Sequence, residues 1–75
     1  MRSLEDCLHS LINLLNSDRE LTPAPIDDIM DPYLVGFGAA TPQKRSEVAE
    51  AFHDRTEPSA RRDLIYARIL KRLIP

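Results

Sequence analysis

The sequence predicts an all-α fold: a small three-helix bundle with a long proline-rich connection containing one or two short helical turns. Three observations carry that prediction. Residues 3–17 and 59–74 repeat apolar side chains at three- and four-residue spacing, as one face of a helix requires. Val and Thr are few and no stretch alternates apolar with polar, so nothing reads as a strand. Six prolines, in a chain rich in Leu, Ile and Ala, punctuate the helical stretches.

The first helix is predicted over 3–17. Ser3 with Asp6 has capping-box spacing, and Glu5 and Asp6 suit the positive helix N-terminus. Leu4, Leu8, Leu11 and Leu15 form a stripe that Cys7, Ile12 and Leu14 widen, a breadth suited to burial on more than one side. From 18 to 40 the prolines argue for an ordered connection rather than a full helix. Pro23 and Pro25 hold Leu21–Ile26 extended. Pro25 then opens one short turn, and Asp31 with Pro32 opens another that Gly36 and Gly38 end. Ile26, Ile29, Met30, Tyr33, Leu34, Val35 and Phe37 are too many apolar residues for a solvated linker, so the connection is expected to supply part of the core.

Thr41 and Pro42 are a cap and first position for the second helix, 42–53, which buries Val48, Ala49 and Phe52. After a break at 55–58, Pro58 leads into the third helix, 59–74. Ile65, Tyr66, Ile69, Leu70 and Leu73 fall on its apolar side, while Arg61, Arg68, Lys71 and Arg72 gather opposite as a cationic ridge. The first and last helices are expected to be the main packing pair, with Leu8, Leu11, Leu15, Phe52, Ile65, Ile69 and Leu73 at the centre.

At 75 residues the chain makes one domain, 1–75, and a small one that buries only about 60% of its unfolded surface. One cysteine allows no internal disulfide, and Cys and His together are too few for a structural zinc site. Association is the remaining stabiliser. Residues 1–40 carry Arg2 and Arg19 against seven carboxylates, a net −5; residues 41–75 carry eight cations against five, a net +3. The halves can attract one another within a molecule or between two copies, or be ordinary solvated surfaces. No signal peptide and no run of ~20 apolar residues is evident, so the expected compartment is the cytoplasm, with no membrane contact.

Candidate chemistry is sparse. Cys7 and His9 lie two apart on one helix and diverge, so a Cys–His pair would need His53, with no third member in view. Asp27, Asp28 and Asp31 lack the glycine and closing glutamate of a calcium loop. Catalytic residues, metal and cofactor are therefore predicted as none, and the protein as no enzyme.

The leading expectation is a small non-catalytic protein–protein interaction module: a regulatory adaptor, accessory subunit or inhibitor of a larger protein, with a homodimer also open. Its candidate contact residues are Arg61, Leu64, Arg68, Lys71 and Arg72 on the last helix, and Ile29, Met30 and Tyr33 on the connection. Leu64 alone reads as a singly exposed leucine; among arginines it has the composition of a hot spot. On this reading, Arg61→Glu with Arg68→Glu weakens binding without unfolding the domain. The alternative is a dimeric helix-turn-helix-like DNA-binding regulator reading through Arg61 and Arg62, at odds with the acidic net charge of −2.

Overall fold

Ser3 opens α1 (Leu4–Leu15) as its sequence predicts. In the computed structural model, which describes residues 3–35 and 42–73, its backbone is extended and its hydroxyl accepts from the Asp6 N–H at 3.2 Å. One of the four orphan donors of the first turn is thereby satisfied. Cys7, Leu8, Leu11 and Leu14 are buried; Leu4, Ile12 and Leu15 are partly buried against them. The last turn of α1 contains no basic residue of its own.

The second element corrects the prediction. Residues 23–35 are not a connection with short turns but one helix, α2 (Pro23–Val35). Pro23 and Pro25 occupy the first turn, where backbone N–H groups have no helical partner and proline's missing donor costs nothing. Pro32 lies inside the helix and cannot donate to the carbonyl of Asp28. What offsets that loss is burial: Ile26, Met30 and Tyr33, at i, i+4 and i+7, are 2%, 0% and 0% exposed. Each such side chain contributes about 1.5–3 kcal/mol, comparable with the ~3 kcal/mol cost of an interior proline. Ile29 and Leu34 pack partly buried beside them. The expected stops at Gly36 and Gly38, the core role of Phe37 and the Thr41 cap lie outside the described residues.

The third element, α3 (Pro42–Arg55), runs slightly beyond the predicted end at His53, and Thr56 closes it by donating its hydroxyl to the Phe52 carbonyl at 2.7 Å. Val48, Ala49 and Phe52 are buried. The fourth, α4 (Ala60–Leu73), is capped by Ser59, whose hydroxyl accepts from the Arg62 N–H at 3.0 Å. Ile65 and Ile69 are fully buried, whereas Leu70, assigned to the apolar side by the sequence, is 40% exposed.

Among the described residues the fold is all-helical, with four helices and no strand. Helix α1 packs on α2 and α3, and α4 packs on the same two. The contact between α1 and α4 is lighter, so they are not the main packing pair. All four helices feed one core, in which Leu15 and Leu73 sit partly buried at the margin rather than at the centre. The radius of gyration is 11.4 Å, against about 11 Å for a compact chain of this length. No helix is long and apolar enough, among the described residues, to cross a membrane.

Candidate protein-docking face

The arginines of α4 turn inward along the molecule's own surface. Arg61 reaches the C-terminal end of α1, where its guanidinium donates to the carbonyls of Leu14, Leu15, Ser17 and Arg19 at 2.9–3.2 Å. The Leu14 and Leu15 carbonyls belong to the last turn of α1, which no further helical turn satisfies, and the cation also meets the negative end of the helix. Arg61 thus supplies the basic residue that the last turn of α1 lacks.

Arg68 and Arg72 engage α2. Arg68 forks onto Asp27, Nε to Oδ1 at 2.8 Å and Nη2 to Oδ2 at 2.6 Å. Arg72 pairs with Asp31 and also approaches Asp27 Oδ2 at 3.8 Å. Both pairs repeat at i, i+4, so one turn of α4 matches one turn of α2. The Arg68 guanidinium holds the Asp27 carboxyl below the usual carboxylate range, chiefly through its hydrogen bonds. At the other side of the molecule Arg55 forks onto Glu5 with two 3.0 Å bonds, lowering that carboxyl too. Each of these pairs joins the acidic half of the chain to the basic half, so the charge asymmetry is met in part within one molecule.

Arg62 is buried, its side chain only 9% exposed. Its Nε lies 3.1 Å from Asp63 Oδ1, but poorly aligned, so the buried N–H has no hydrogen-bond partner among the described residues. Neither arginine on which the DNA-reading alternative rests projects freely: Arg61 is spent on carbonyls and Arg62 is inside.

The other candidate residues divide. Met30 and Tyr33 are fully buried, so neither is a surface anchor. The Cys7 thiol lies 3.9 Å from the Met30 sulfur, and burial pushes the Tyr33 phenol up to about 12. Ile29 is partly buried. Leu64, by contrast, is 58% exposed and Lys71 is exposed. At ~100° per residue, Ala60, Asp63, Leu64, Ala67, Leu70 and Lys71 share one outward strip about 120° wide, and all six are exposed. Leu64 and Leu70 are the exposed large hydrophobics of the described residues. The sequence pointed to Leu64 and Lys71 but placed Leu70 on the buried side. Its signal was available in the i, i+3 spacing Leu64–Ala67–Leu70.

Two further features complete the surface. A shallow groove of about 360 Å³ between the end of α1 and the α3–α4 turn is lined by Ile12, Leu15, Thr56, Pro58 and Arg61 among others. His53 is exposed, its ring tilted against Tyr66 at 5.2 Å between centroids, while Cys7 is buried. Among the described residues no three His, Cys, Asp or Glu side chains are grouped to hold a metal ion. The chain matches no protein-family model, no curated protein and no solved structure.

Proposed function

We propose that the protein is a small, non-catalytic protein–protein interaction module that acts as a regulatory adaptor, accessory subunit or inhibitor of a larger protein. The observation that carries this reading is the outward strip of α4. Two exposed leucines, 58% and 40% accessible, stand on it with two alanines between and beside them. An apolar strip framed by Asp63 and Lys71 suits a partner with a complementary apolar centre and polar rim. The arginine ridge belongs to the fold instead, because Arg61, Arg68 and Arg72 are occupied by the chain's own carbonyls and carboxylates. Cys7, the chain's single cysteine, is buried, which suits a reducing compartment such as the cytoplasm.

The test is recovery of partner from nuclease-treated cell lysate on the folded protein and on Leu64→Glu. A defined band held by the first and lost with the second supports the reading. Equal recovery on both, or recovery only without nuclease, removes it.

A further inference from the structure

Resting on the reading of the α4 strip as a docking surface, we infer that its occupant in the isolated protein is a second copy of the same chain, packed α4 against α4 in antiparallel sense about a two-fold axis at Ala67. The strip is complementary to itself in that register and not in a parallel two-fold one. Asp63 and Lys71 lie four residues either side of Ala67, about 6 Å along the axis. An antiparallel copy therefore sets Asp63 level with Lys71 of its mate, twice. Leu64 and Leu70 lie three residues either side, so Leu64 of one copy is set level with Leu70 of its mate. Ala67 faces itself, and its small side chain lets the helices approach to about 8 Å.

Both charges are accessible for such pairing. Lys71 has no ion-pair partner among the described residues, unlike Arg61, Arg68 and Arg72. Asp63 keeps 69% of its side chain exposed, although one oxygen faces Arg62. Parallel pairing would set Asp63 against Asp63 and Lys71 against Lys71, so the same two residues select the direction. A chain of this size, with no disulfide among its described residues, also gains most from association. One helix face from each copy lies at the small end of specific interfaces, so the dimer is weak and reversible, and a foreign partner for the face has to displace the second copy.

Sedimentation equilibrium from roughly 10 µM to 2 mM, a span chosen for weak association, tests it with exposed-site variants whose helical circular dichroism matches the parent. The parent is expected to dimerise. Asp63→Lys alone and Lys71→Asp alone each place like charges across the axis and are expected to weaken the dimer about tenfold or more. Mixing those two single variants restores opposite charges at both contacts and is expected to recover association as a heterodimer; the double exchange on one chain is expected to recover the homodimer. A parent that stays monomeric, single variants that dimerise as the parent does, or a mixture that fails to associate overturns the inference. The module reading is judged separately, by whether Leu64→Glu loses the lysate partner, so a monomeric parent with that partner retained would sink only the two-fold pairing.

Discussion

Arg61 is the residue whose chemistry is hardest to replace. Its planar fork serves several carbonyls at once, which a lysine ammonium cannot reproduce. Arg61→Ala is expected to lower unfolding free energy by about 1–3 kcal/mol, and Arg61→Lys to recover little of it, both read by urea titration. The same geometry changes what Arg61→Glu with Arg68→Glu reports. That pair of substitutions now attacks the α1 terminus and the α2–α4 contact, so it should unfold the protein rather than merely weaken a complex. Tyr33 gives a second test at this scale. Its phenol is held neutral by burial, with a folded value about 12 against about 10 when unfolded. Its contribution is therefore complete below about pH 10 and lost as pH rises toward 12. Tyr33→Phe is expected to flatten the alkaline limb of a stability–pH curve.

Helix α2 shows where reading the sequence succeeded and where it failed. Ile26, Ile29, Met30, Tyr33 and Leu34 follow i, i+3, i+4, i+7 and i+8, the spacing of an amphipathic helix. That signal was legible, but three prolines outweighed it. Two of them sit where proline is harmless, and the third is overridden by burial of its neighbours, a tertiary effect no local rule contains. The starts of α1, α3 and α4 were legible because Ser3, Pro42 and Pro58 are local signals, although Ser59 rather than Pro58 makes the capping bond of α4. The site was legible only in part: exposure of Leu64 follows from its wheel position, whereas the fate of the arginines depends on which helices meet. Met30→Ala is expected to cost about 2–5 kcal/mol, a large share of the roughly 4–11 kcal/mol a 75-residue chain possesses. Thermal unfolding by circular dichroism reads it. A small loss there would mean that α2 is not part of the core.

At the scale of the whole molecule, the pairs between acidic and basic halves set the response to acid. Asp27 and Glu5 both have lowered folded values, so their stabilisation is present above the ordinary carboxylate range and lost as pH falls through the lower folded values. Asp27→Asn is expected to reduce stability at pH 7 and to shrink the difference between pH 7 and pH 3, read by denaturant titration at each pH. An unchanged difference would mean that Asp27 contributes nothing to the acid limb.

The packing of neighbours carries one more consequence. Helices α1 and α2 touch, as do α3 and α4, and the remaining contacts run between these two hairpins. Residues 1–35 have the net charge −5 and residues 42–75 the net charge +3. The protein is thus two oppositely charged fragments that form a single core. Synthesised as separate peptides, they should recombine on mixing into the native helical fold, each serving as the template on which the other folds. Added salt should slow that reunion, because attraction at a distance brings the fragments together before any apolar surface meets.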